Sequence, residues 1–277
     1  MPRRKWGQHF LRDAATARRL VAHSGVLAGE TVLEIGPGTG LLTTALLEVA
    51  ARVVAVELDP ELAADLPRRL HEPERLQVVH ADAARQDMSA LLAEQVPSGE
   101  LVRAVGNLPY ESSTAILARL LEARSRLLGI AILVQREVAE RMSAKPGTRT
   151  YGYLSVLCQD VAEPRVVQHL KPGAFRPPPK VQSALVRLEL RDTPLRGNID
   201  GARFLSLAGR LFGQRRKTIL NNLQSATDLD RQACMEILVR SGLEPRLRPE
   251  DLSVQQLATL FREVEGHGGA DSPSVAL

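Results

Sequence analysis

The sequence predicts an α/β protein: a mainly parallel sheet covered on both faces, followed by a smaller all-helical domain. Three observations carry this. Through the first half, short apolar runs rich in Val, Ile and Leu alternate with helical segments of about 10–12 residues, the pattern of parallel strands joined by crossover helices. From Asp192 onward, helix-length segments follow one another with short loops and no strand between them. The chain has 277 residues, 44% of them hydrophobic, enough for a sizeable core and for two domains at about 150 residues each.

The elements follow in order. Thr16–Ser24 reads as a short helix, and Thr31–Ile35 (TVLEI) as the first strand, turned by GPGTG. Leu41–Ala51 is helical, Arg52–Glu57 (RVVAVE) a strand, Pro60–Leu70 an Ala- and Leu-rich helix, and Leu76–Val79 a strand. Ser89–Val96 is a helix, Leu101–Val105 a strand, Ser113–Glu122 a helix and Gly129–Gln135 an almost wholly apolar strand. Glu137–Met142 is a short helix before the loop KPGTRTYGY. Leu154–Val167 is apolar with β-branched content, PGAFRPPPKV is a rigid connector with four prolines, and Ala184–Leu190 is a strand. The helices Ala202–Phe212, Arg216–Leu223, Asp230–Ser241 and Ser253–Glu265 complete the chain, with Asp228 or Asp230 and Asp251 or Ser253 as N-caps and Gly242 and Gly266 as stops. The expected division is a sheet domain over 1–190, a helical domain over 191–265 and a disordered tail over 266–277.

Composition excludes several classes. Two cysteines cannot build a disulfide scaffold, and they and the six histidines show no metal-ligand spacing, so no metal is expected. Cys158 and Cys234 lie among apolar residues and read as core. No apolar run approaches the about 20 residues of a membrane span, and MPRRKWGQHFLRD has no apolar stretch behind its basic residues, so the expectation is a soluble cytoplasmic protein without a membrane partner. The net charge of +4 hides a gradient: residues 1–100 carry 11 basic and 14 acidic side chains, residues 101–200 carry 15 and 9. Arg supplies 31 of the 36 basic residues; its planar fork suits phosphate, though codon usage accounts for such a ratio equally well.

Ligands of such sheets bind beyond the carboxyl ends of the strands. Gly36 and Gly38 stand at the first strand end, where bare backbone admits a ligand or makes a tight turn. Leu41 occupies the place of the third glycine of a dinucleotide fingerprint, which argues against NAD. Glu57 closes the second strand, 21 residues after Gly36, where an acid accepts ribose hydroxyls, and Asp82 follows the third strand, within reach of an adenine amino group. No Lys or Arg sits in the turn to meet a pyrophosphate, so S-adenosylmethionine fits best.

The fourth strand runs into Asn107-Leu108-Pro109-Tyr110, the most specific signal in the chain. An exocyclic base amine such as adenine N6 is a poor nucleophile, because its lone pair is delocalised. The Asn107 side-chain oxygen and the Leu108 carbonyl can hold its two hydrogens, Pro109 stiffens the loop that aims the carbonyl, and Tyr110 offers a face for stacking. Phe175, in the proline-rich connector, is expected on the second side of the base, a core anchor being the other possibility. Arg136, Arg141, Lys145, Arg149, Arg176 and Lys180 are candidates for phosphate contact, as is the cluster Arg215-Arg216-Lys217.

Taken together, GQHFLRD (Gly7–Asp13), EIGPGTG (Glu34–Gly40), VELD (Val56–Asp59), NLPY, YGYLSV (Tyr151–Val156), FRPPPKVQSALVRL (Phe175–Leu188) and FGQRRKT (Phe212–Thr218) resemble the bacterial small-subunit ribosomal RNA adenine dimethyltransferases, over about residues 3–265. The resemblance implies a Rossmann-like class I methyltransferase with a mainly parallel seven-stranded sheet and a helical C-terminal domain. It implies transfer of four methyl groups from S-adenosylmethionine to N6 of two adjacent adenosines near the 3′ end of 16S rRNA, in immature 30S particles; nothing in the sequence demands a dimer, so a monomer is expected. It implies cofactor contacts at His9, Leu11, Gly36, Glu57, Asp82 and Asn107. Many members carry Asn at the His9 position, so the contact that survives there is a backbone one. The same fold serves 23S rRNA adenine methylases, and an rRNA-binding assembly factor without activity is the non-enzymatic alternative; the FRPPPKV and FGQRRKT blocks favour the small-subunit enzyme.

Overall fold

The computed structural model describes residues 9–71, 74–214 and 216–267. The basic Arg3-Arg4-Lys5, Arg215 and the tail from residue 268 lie outside the described residues. The chain forms two compact units, one of residues up to Glu140 with Glu163–Leu190, the other of Arg141–Ala162 with Arg191 onward.

In the first unit β1 (Phe10–Leu11) leads into α1 (Ala14–Ser24), capped by Asp13 through the Thr16 amide. β2 (Thr31–Ile35) is buried at every position. α2 (Leu41–Leu47) ends short of the expected Ala51, because the Val49 and Ala50 amides both turn back to the Leu46 carbonyl and the Arg75 guanidinium takes the carbonyls of Leu47 and Ala50. β3 (Arg52–Glu57) and α3 (Pro60–Leu70) follow, Asp59 capping α3. β4 (Leu76–His80), α4 (Met88–Gln95), β5 (Val102–Asn107), α5 (Ser113–Glu122), β6 (Leu127–Gln135) and α6 (Arg136–Met142) continue the alternation. α7 (Tyr153–Val161), which belongs to the second unit, runs directly into β7 (Ala162–Leu170), and β8 (Phe175–Arg176) and β9 (Ser183–Leu190) close the first.

The seven-stranded sheet has the order β4-β3-β2-β5-β6-β9-β7, parallel from β4 to β6 and antiparallel between β6 and β9. Its carboxyl edge therefore brings Ile35, Glu57, His80 and Asn107 side by side. β2 and β5 approach closely at Gly106: a Cβ there would stand 2.7 Å from the Ile35 carbonyl oxygen, which only glycine tolerates. A separate two-stranded ladder pairs β1 with β8, Leu11 opposite Phe175. Apolar side chains of α1, α2, β2, β3 and β6 share one buried cluster with Leu11 and Phe175.

The second unit holds α7, then α8 (Gly201–Leu211), α9 (Ile219–Ala226), α10 (Arg231–Arg240) and α11 (Val254–His267). Side-chain caps start them: Asp200, Thr218 and Asp230 accept amides of their first turns, and Ser253 and Gln256 cap each other reciprocally. Gly242 makes its expected turn at φ +66°, whereas Gly266 lies within α11 rather than ending it. Phe204 meets Phe261 edge-on at 6.1 Å in the core. Asp160 of α7, 1% exposed, accepts the Arg196 amide at 3.0 Å and pairs with its guanidinium, while Arg196 Nε donates to the Ile199 carbonyl.

The two units differ from a single division at residue 190, since 141–162 pack with the helices. The ambiguous run Leu154–Val167 is a helix followed by a strand, and α7 carries no simple apolar stripe because seven of its nine residues are buried. Among the described residues no helix is long and apolar enough to cross a membrane.

Candidate active site

Beyond the carboxyl ends of β2 to β5 lies a cleft lined by residues of these strand ends and of the segment before α1. Its floor is the glycine turn. Gly36 (φ +70°) donates its amide to the Val56 carbonyl at 2.9 Å, and Gly38 (φ +55°) donates to Glu57 Oε2 at 2.9 Å. A Cβ on Gly38 would stand 2.7 Å from the Phe10 ring, so the ring rests on bare backbone and walls the cleft. Glu57 is 2% exposed, and its other oxygen accepts the Asp59 amide at 2.9 Å. Each oxygen thus spends one lone pair on the turn and keeps another for a ligand. Asp82 lines the cleft while its Oδ1 holds the Ala84 amide at 3.0 Å.

The other wall is Asn107–Tyr110. Asn107 Nδ2 donates to the His9 carbonyl at 2.8 Å, which commits the donor end of the amide and leaves Oδ1 as the acceptor. His9 Nδ1 in turn bonds the Pro177 carbonyl at 2.7 Å. Leu108 is fixed by its amide, which donates to the Leu133 carbonyl at 3.1 Å, and Pro109 closes a turn through the Ser112 amide. The Tyr110 ring lies 5.3 Å from the His9 imidazole, tilted by 35°. Burial raises the Tyr110 pKa, a bond from Ser183 partly opposing it, so the phenol stays neutral.

The structure brings together His9, Gly36, Gly38, Glu57, Asp82, Asn107, Leu108, Pro109 and Tyr110. It does not bring Leu11 or Phe175 to the cleft. Both are buried, at 6% and 3% exposure, because the β1–β8 ladder turns them together into the core. The expectation that Phe175 faces the second side of a base is therefore corrected: it anchors the connector. Phe10 is the aromatic that sequence reading missed; its only signal is its place in GQHFLRD before the apolar Leu11. Arg136, Arg176 and Lys180 are exposed on the first unit, Arg136 being paired with Glu140 at 2.7 Å. Arg141, Lys145, Arg149, Arg216 and Lys217 are exposed on the second. Asn222 shapes the loop of the last two, its Nδ2 donating to the carbonyls of Gln214, Lys217 and Thr218. Among the described residues no group of three His, Cys, Asp or Glu could hold a metal ion.

Glu34, on β2 beneath the turn, is fully buried and makes no hydrogen bond of good geometry. Burial pushes its carboxyl up to about 8, the Thr43 hydroxyl working against this and the Glu57 carboxylate with it. The folded value lies above that of the unfolded chain. The stability it contributes is therefore complete below about 4.5 and is lost as pH rises through 8, about 1.4 kcal/mol going with each pH unit between. Glu34→Gln should gain on the parent in urea midpoint at pH 8 relative to pH 5; equal differences at both values would refute a neutral Glu34.

Comparison with known proteins gives concordant results. A family model described as ribosomal RNA adenine dimethylase matches residues 2–265. Proteins named ribosomal RNA small subunit methyltransferase A are similar throughout. The one from Acinetobacter baylyi is 38% identical over 259 residues, 93% of this chain and 90% of its own length; that from Moorella thermoacetica is 38% identical over 269, 96% and 93%. Among solved structures, the 23S rRNA methyltransferase ErmE is 28% identical with a TM-score of 0.67, covering 92% of this chain and 99% of its own. A dimethyladenosine transferase from Plasmodium falciparum shares the fold, with a TM-score of 0.76 at 24% identity, covering 94% and 98%.

Proposed function

The chain belongs to the ribosomal RNA adenine dimethylase family, an S-adenosylmethionine-dependent enzyme of rRNA adenine-N6 dimethylation, and from that premise we propose that its substrate is a pair of adjacent adenosines in the loop near the 3′ end of 16S rRNA, within immature 30S particles, methylated in the cytoplasm by a monomer. The observation that carries the reading is the Asn107 amide, tied by its donor end to His9 and presenting its oxygen in the same cleft as the glycine turn and Glu57.

The residues present fit S-adenosylmethionine. Among the described residues the cleft is lined by two carboxylates, Glu57 and Asp82, and by no Lys or Arg, which suits a cationic ligand with a ribose and disfavours a pyrophosphate. Ile35, Val56 and Ile116 would supply apolar contact, and Glu57 would accept the ribose hydroxyls. When bound, S-adenosylmethionine supplies a methyl on a sulfonium, electrophilic enough that no base need act before attack. Asn107 Oδ1 and the Leu108 carbonyl accept the two N6 hydrogens and turn the nitrogen lone pair toward the methyl. Pro109 keeps that carbonyl in place, and Tyr110 stacks on the extruded base. The exposed cations of both units meet RNA phosphates; Arg216→Ala with Lys217→Ala should weaken particle binding and flatten the slope of log K against log salt by about 1–2. An unchanged slope would assign both residues to the solvated surface.

The likeness to a 23S rRNA methyltransferase supports 23S rRNA as the second reading. Mass spectrometry of rRNA, after incubating immature 30S particles with the protein and labelled S-adenosylmethionine, separates the two. Four labelled methyls on two adjacent adenosines of 16S rRNA are expected; label confined to 23S rRNA, or none, rejects the proposal.

A further inference from the structure

Ser183 opens β9 opposite Gln135 of β6 and is wholly buried. It ends the proline-rich stretch of the FRPPPKVQSALVRL block, yet it does not line the cleft and has no exposed surface to meet a phosphate. Its Oγ lies 2.6 Å from the Tyr110 hydroxyl, across 73 residues of sequence. Tyr110 is otherwise held at its backbone, where the carbonyl accepts from Ser113 Oγ at 3.1 Å, and along one side by the His9 ring. The bond to Ser183 is what fixes the far end of the phenol. A half-buried ring anchored at its hydroxyl loses the freedom to turn about its side-chain torsions, and a stacking platform depends on the plane it keeps.

We propose that Ser183 is a positioning residue: its buried hydroxyl clamps the Tyr110 phenol and so sets the plane on which the target base stacks. This rests on Tyr110 being the stacking residue. It accounts for the serine at the junction of the connector and β9, since an apolar residue there would leave the phenol unanchored.

The chain has three tyrosines, so protein labelled with 3-fluorotyrosine gives three fluorine NMR resonances, and Tyr110→Phe identifies the one in question. Ser183→Ala should shift or broaden the Tyr110 resonance and leave the other two in place. In methyl transfer from S-adenosylmethionine to immature 30S particles, Ser183→Ala should lower kcat by about tenfold with the cofactor KM unchanged. Tyr110→Phe keeps the ring but cannot be clamped, so it should show the same loss, and the double variant no more than either. An unmoved Tyr110 resonance overturns the clamp, and so does a Ser183→Ala loss that persists in full on top of Tyr110→Phe. If the unaltered protein transfers no methyl to either rRNA, the substrate reading fails and the resonance alone decides the clamp.

Discussion

Replacing Asn107 with Ala is expected to lower kcat for methyl transfer by about 10²–10³-fold, the magnitude seen when a single polar group aimed at a transition state is removed. Cofactor affinity should change little, because the glycine turn and Glu57 hold each other without Asn107. The two halves of the amide can be separated. Asn107→Asp keeps an acceptor but loses the donor to the His9 carbonyl and sets a carboxylate against that oxygen. It should therefore fall between the parent and the alanine variant in kcat, with the His9 segment loosened as read by amide exchange. Single-turnover rates with saturating cofactor check both, and an Asn107→Ala rate within threefold of the parent would remove Asn107 from the mechanism.

The second large effect is on stability. Asp160→Ala leaves the Arg196 guanidinium, 11% exposed, without its carboxylate and leaves the Arg196 amide without its acceptor. Breaking a buried pair from one side costs about 3–5 kcal/mol, most of it the burden of the stranded charge. Asp160→Leu combined with Arg196→Met should recover much of that loss, since the pair itself is worth far less than the cost of splitting it. Urea denaturation of the two variants beside the parent checks this. Equal stability of Asp160→Ala and the double variant would mean that water reaches Arg196 once its partner is gone.

Much of this molecule is legible in its sequence, for reasons that differ by region. The parallel strands stand out because they are buried on both faces, as in β2, and Asp59 and Asp230 mark helix starts because short acceptors there satisfy free amides. Strand-end residues are legible too: Gly36, Glu57, Asp82 and Asn107 converge because parallel strands in register put their carboxyl ends on one edge. What escapes is direction. Phe175 and Phe10 are both aromatics next to an apolar or proline-rich stretch, and only the pairing of β1 with β8 decides that the first is buried and the second faces the cleft. Nor does local pattern separate α7 from β7, because burial around most of the helix removes the periodicity that would announce it.

The β1–β8 ladder has a consequence in time. It closes a span of well over a hundred residues, continued by the Arg12 amide on the Ala174 carbonyl and by His9 on Pro177, 168 positions away. Strands β2 to β6 can assemble from a chain still being synthesised, and they already offer Phe10 the glycine turn and His9 the Asn107 amide, but the strand partner of Phe10–Leu11 and the carbonyl that holds the His9 ring emerge only with the connector. Contacts of such long range form late and slowly. A partial chain can thus acquire the glycine turn and Glu57 before the wall that carries Phe10 and His9 is pinned, and that pinning waits for the connector.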